Sequence, residues 1–142
     1  MEIIANELQT VQANQNVYFT DTVICGSASA SHRDGSGLVT LRGLTNQCRA
    51  RFKVSFGANI AVPTTGGTVG PISLAIAIDG EGVRATTMTV TPAAVGEFFN
   101  VFSSIFIDVP RCCCVTISVQ NVSEGAVPVD VENANLIIER VA

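Results

Sequence analysis

The sequence predicts an antiparallel β-sandwich or jelly roll, and three observations carry that expectation. Apolar residues recur with period two along most of the chain, the spacing that puts one face of a strand into a core. Turn signals rich in Gly, Pro, Asn and Asp interrupt the alternation roughly every 8–12 residues. Helical period is almost absent. A chain of 142 residues is one domain's worth, long enough to bury a core without metal or disulfide staples.

The elements follow in order. Residues 1–15 read as a polar N-terminal arm, because Gln9, Gln12, Asn14 and Gln15 break the pattern, and residues 16–142 read as the sandwich. Residues 17–24 form a strand, and 26–37 a loop of small polar residues and glycines. Extended structure resumes at 38–41. Residues 49–56 alternate, with Phe52, Val54 and Phe56 inward and Arg51, Lys53 and Ser55 outward. Gly57 opens a connection through Pro63, Gly66, Gly67 and Gly70 to Pro71.

Residues 72–78 are a strand apolar on both faces: Leu74, Ile76 and Ile78 point one way, Ala75 and Ala77 the other. Asp79-Gly80 is a tight-turn signal. Residues 83–91 are a strand rich in β-branched residues, and 92–96 a turn. Residues 97–109 are a long extended run holding Phe98, Phe99, Phe102 and Phe106, with Phe99 on the face opposite the other three. Pro110-Arg111 makes a corner, and 114–120 alternate again. Residues 121–125 turn, 127–131 read as an edge strand because of Pro128, and 136–141 close the chain.

Composition bears on what the surface does. Hydrophobic residues are 47% of the chain and charged residues 14%, against about 25% charged in ordinary domains. A two-faced strand and an aromatic run in so uncharged a chain predict a subunit interface, with Ala75, Ala77, Phe98, Phe99, Phe102 and Phe106 its expected members. The net charge of −4 argues against nucleic acid, whose phosphates need a basic face. The first residues lack the basic and apolar blocks of a secretory signal, and no apolar run is long enough to span a membrane. The expectation is synthesis in a bacterial cytoplasm with no membrane partner.

No reaction is visible. The acids are scattered over turns and strand ends, and a sugar platform is missing, with no Trp and Tyr18 the only Tyr. Asp79-Gly80-Glu81-Gly82 reads as a hairpin rather than a calcium loop. Gly66-Gly67-Thr68-Val69-Gly70 lacks the Gly-Lys-Ser/Thr ending of a phosphate loop. His32, the only histidine, reads as a solvated side chain, and His32, Arg33 and Asp34 together as an exposed contact loop. No catalytic residue, metal or cofactor is expected, and the chain reads as non-enzymatic.

The five cysteines, Cys25, Cys48, Cys112, Cys113 and Cys114, leave one over from any intrachain framework. Two readings stay open: reduced thiols with Cys113 packed inward, or a disulfide joining one of the triplet to Cys25, Cys48 or a symmetry mate. Adjacent strand residues project to opposite faces, so three consecutive thiolates do not wrap one tetrahedral zinc.

Three segments carry a family resemblance. Phe52-Lys53-Val54-Ser55-Phe56-Gly57 resembles an aromatic-rich early core strand, and Ile76-Ala77-Ile78-Asp79-Gly80 a following hairpin. The finish runs from Val109-Pro110 through Ile117-Ser118-Val119-Gln120-Asn121 to Ala134-Asn135-Leu136-Ile137-Ile138-Glu139-Arg140. Together they are similar to the tumour necrosis factor-like jelly rolls, among them complement-type globular heads and the ends of collagen-like surface proteins of Firmicutes. One departure is Cys112-Cys113-Cys114, where the family usually has Gly-Asp. The run from Gly37 to Phe52 also resembles small stand-alone proteins of tailed phages and prophages of gut Firmicutes.

The resemblance implies a homotrimer around an axis lined with apolar and aromatic side chains. It further implies a structural role on a virion surface, as a capsid decoration or head-fibre protein. The arm 1–15 would dock on a major capsid protein, and loops 26–36 and 57–71 would face outward, toward any host-surface ligand. A spore or cell-surface appendage subunit, with filament neighbours as partners, is the alternative. From another class, the alternative is a glycan- or receptor-binding module.

Overall fold

The computed structural model describes residues 1–142 and is all-β apart from one 3-10 turn at Arg84–Thr86. The strands are β1 (Glu2–Ala5), β2 (Gln9–Val11), β3 (Asp21–Ile24), β4 (Ala30–His32), β5 (Val39–Arg42) and β6 (Arg49–Ala61). They continue with β7 (Ile72–Ile78), β8 (Glu81–Gly82), β9 (Met88–Val90), β10 (Phe99–Pro110), β11 (Cys114–Asn121) and β12 (Val129–Arg140). One sheet runs β10-β6-β12-β1-β3 with β2 also on β12; the other runs β4-β5-β11-β7-β8 with β9 also on β7. Every pairing is antiparallel.

The core lies between the sheets, as the alternation predicts. Phe52, Val54 and Phe56 of β6 are buried, and Lys53 between them is exposed. Phe19 meets Phe56 edge to face, with ring centroids 6.4 Å apart, the geometry that aromatic quadrupoles favour. Asp79 and Gly80 both take positive φ, at 51° and 84°, as the primed hairpin turn requires.

Four expectations are corrected. Residues 1–15 are not a free arm: β1 lies between β12 and β3, and Ile3, Ala5 and Val11 are core residues. The polar count hid a strand whose inward positions are apolar. Buried Asn121 binds this segment down, donating from Nδ2 to the carbonyls of Val11 (3.0 Å) and Val127 (2.9 Å) while its Oδ1 accepts the Ser123 N–H (3.0 Å). Second, 127–131 is not an edge strand. Pro128 precedes β12, which runs on to Arg140 through a bulge at Glu132–Asn135 where Asn133 has φ 54°. The bulge splits the period-two pattern and makes one long strand read as two.

Third, the expected strand 83–91 is interrupted by the 3-10 turn, where Thr86 turns inward and its Oγ1 accepts the Ile76 N–H at 3.0 Å. The loops expected at 26–37 and 57–71 are shorter as well, since β4 lies within the first and β6 extends to Ala61.

Fourth, Ala75 and Ala77 are not an uncovered face. Their exposures are 1% and 0% within the single chain. A Cβ on Gly82 would lie 3.8 Å from Ala75 Cβ, 3.7 Å from Gln120 Oε1 and 3.2 Å from Val122 Cγ1. Both alanines are thus buried within the single chain, so neither can line a subunit interface.

Candidate assembly face

The outward face of β10 carries the feature the alanines lack. Along this strand Val101, Ile107 and Val109 are buried, while Phe102 and Phe106 are 66% and 61% exposed. Phe98 and Phe99, at the start of the strand, are partly exposed. β10 is also the margin of its sheet, so no strand is paired to its outer edge.

The registry with β6 explains why the two rings stand free. Across the two strands Asn100 faces Asn59, Phe102 faces Gly57, Ser104 faces Ser55, Phe106 faces Lys53 and Asp108 faces Arg51. The polar pairs satisfy one another. Asn100 Nδ2 donates to Asn59 Oδ1 (3.1 Å), Ser104 and Ser55 hydroxyls lie 3.0 Å apart, and Arg51 Nε donates to Asp108 Oδ1 (2.7 Å). The aromatic ring of Phe102 lies over glycine, with a Cβ on Gly57 falling 3.7 Å from Phe102 Cδ2. Three polar pairs of this face are thus closed across the strands, whereas Lys53 and the two rings stand open to water.

A second apolar margin lies at the far side of the same sheet. Val23 and Ile24 of the edge strand β3 are exposed there. One registry row links the margins: Ile24 faces Glu2, Glu2 faces Ile137, Ile137 faces Ser55, and Ser55 faces Ser104. The apolar β3 margin therefore sits level with the stretch of β10 between Phe102 and Phe106.

Asp108 closes the face with an ionic cluster. It accepts from Arg51 Nε (2.7 Å) and Nη2 (3.1 Å), and Arg49 Nε lies 3.1 Å from its Oδ2. The hydrogen bond from Arg51, helped by the charges of Arg51 and Arg49, holds the Asp108 carboxyl below the usual aspartate range, and the same bond raises Arg51. A depressed folded-state value means that the pair's contribution is present above the unfolded aspartate pKa and lost as pH falls through the lowered one. The groups are solvent-exposed, so the contribution is small and screened by salt. An NMR titration should place the Asp108 midpoint below that of an ordinary aspartate, and Arg51→Ala should raise it; an unmoved midpoint would contradict the assignment.

Other expected site residues fall differently. His32 is not solvated: its side chain is 0% exposed. Its Nε2 donates to the Ser36 carbonyl (2.9 Å), Nδ1 lies 3.2 Å from Thr22 Oγ1, and the ring stands edge-on to Phe19. It is a packing residue, which leaves exposed Arg33 and Asp34 as what remains of the contact loop. Cys113 is not packed inward, since all five cysteines are exposed and unpaired within the chain. The β3 margin went unread in the sequence because Val23 and Ile24 look like core residues until β3 is known to lie at a sheet edge.

No family model matches the chain, nor does any curated protein sequence. Solved structures do. The globular domain of a zebrafish complement 1qA protein is similar at TM-score 0.54 and 12% identity, over 96% of this chain and 93% of that one. The fold is the tumour necrosis factor-like jelly roll of complement heads. At that identity the likeness concerns the fold alone. The C-terminal domain of EclA, a sugar-binding protein, aligns at TM-score 0.43 and 14% identity, over 95% of this chain and 79% of that one.

Proposed function

We propose that this chain is a non-enzymatic structural protein that works as a homotrimer on the surface of a larger particle. The observation that carries the reading is the β10 face, where three polar pairs are closed across the strands and Phe102 and Phe106 are left open to water. Burying one phenylalanine is worth roughly 1.5–3 kcal/mol, so two per protomer supply a substantial driving force. The partner that fits is a second copy, because the same sheet offers a different apolar margin at matching height on β3. Two unlike patches on one molecule make a head-to-tail contact, which gives a ring where its rotation closes and a filament where it does not, rather than a two-fold dimer. Three copies is the number the family resemblance implies.

The particle we infer is a bacteriophage virion, on the resemblance of residues 37–52 to stand-alone phage proteins. With residues 1–15 folded into the sheet, docking on a capsid neighbour falls to the sandwich ends rather than to an arm. Electron microscopy with antibody labelling of particles from the producing culture tests this: label on virion heads is expected, whereas label on spores or cell surfaces would support the appendage reading instead.

A further inference from the structure

Beside the β3 margin the sheet opens into an apolar cavity. Met1, Ile24, Ala30, Phe52, Ile137 and Ile138 line a space of about 340 Å³ between the end of β12 and the β3–β4 connection. Ala30, Phe52 and Ile138 are buried, while Ile24 and Ile137 stand exposed beside them. Glu2, Glu139 and Arg140 complete the lining. Arg140 is fixed there, its Nη1 donating to Ser29 Oγ (3.0 Å) and its Nε to the Ala142 carbonyl (3.3 Å). An apolar cavity of about 150 Å³ already takes up benzene, so this one has room for an aromatic side chain.

The registry of the sheet selects the ring. Ile137 faces Ser55, which faces Ser104; Glu139 faces Lys53, which faces Phe106. The β12 wall of the cavity, residues 137–140, therefore spans the rows of Ser104 to Ile107 on β10, and Phe106 lies within them. Phe102 belongs to the row of Gly57 and Asn135, outside that span. Copies in a closed ring are related by rotation alone, so about an axis along the strands the groups that touch stand at one height. Phe106 meets that condition and Phe102 does not. Charge agrees with the match. Lys53 is exposed beside Phe106 and forms no ion pair within the chain, and the cavity carries Glu2 and Glu139. A ring delivered to the cavity brings an ammonium toward two carboxylates.

We propose that this cavity is the socket that receives Phe106 of the adjacent copy. The inference rests on the assembly reading above and names both the side chain that enters and the site that takes it.

The experiment is complementation between variants in reductant. Phe106→Glu keeps the socket and loses the ring, whereas Ile137→Glu keeps the ring and spoils the socket. Ile24→Glu, on the exposed edge strand, spoils the socket from its other wall and serves as a second such variant. All three positions are exposed, so each variant should keep the circular dichroism spectrum of the wild type. Each alone should sediment as a single chain. Mixing Phe106→Glu with either socket variant restores one intact contact, and a species of twice the 14.8 kDa chain is expected. Where the wild type is a trimer, a Phe106→Glu variant that stays trimeric overturns the socket and leaves the assembly reading standing. Mixtures that remain at the mass of one chain do the same. A wild-type monomer overturns the assembly reading and this inference with it.

Discussion

Ala77→Asp should leave no stably folded domain. The position is 0% exposed, in the middle of β7, with Ser118 opposite on one side and Gly82 on the other. The Ser118 hydroxyl is itself buried without a hydrogen-bond partner, so the site offers a carboxylate at most one donor. Taking an ion out of water costs several kcal/mol even after relaxation, a large share of the roughly 5–15 kcal/mol that stabilises a domain. Thermal unfolding followed by circular dichroism should show the cooperative transition lost, or lowered by tens of degrees, with Ala77→Ser close to wild type. A well-folded Ala77→Asp protein would restore the idea that this face awaits another subunit.

Phe102→Glu/Phe106→Glu should do the reverse: the fold stays and the assembly goes. Both rings project into water in the single chain, so their removal leaves no cavity. Charged residues on an exposed strand face fall outside the mechanisms that destabilise severely. At a subunit contact, by contrast, the pair forfeits roughly 3–6 kcal/mol of apolar burial and brings in desolvated charge. Unfolding temperature measured at low protein concentration should change little, while the mass in solution falls to that of one chain. A double variant that stays trimeric would move the interface off β10.

Much of this was legible in the sequence, and the failures share a cause. Phe52, Val54 and Phe56 declare β6 through alternation, Asp79-Gly80 declares its turn, and the spacing of Phe102 and Phe106 puts them on one face of β10. Period two says that residues share a face but not what covers it. Ala75 and Ala77 look like an open apolar surface because β11, which pairs with them at Gln120 and Ser118, lies about forty residues away in sequence. His32 looks solvated because its partners Thr22, Ser36 and Phe19 are gathered only by the fold. The N-terminal strand was lost among glutamines and asparagines, since Ile3 and Ala5 alone give too short an alternation to stand out.

The most direct measurement is sedimentation equilibrium of the wild-type chain in reductant at neutral pH, where disulfides cannot hold copies together. A mass three times the 14.8 kDa of the chain is the predicted result. A single species of 14.8 kDa across the accessible concentration range would contradict it and leave the aromatic face of β10 without the partner argued for it.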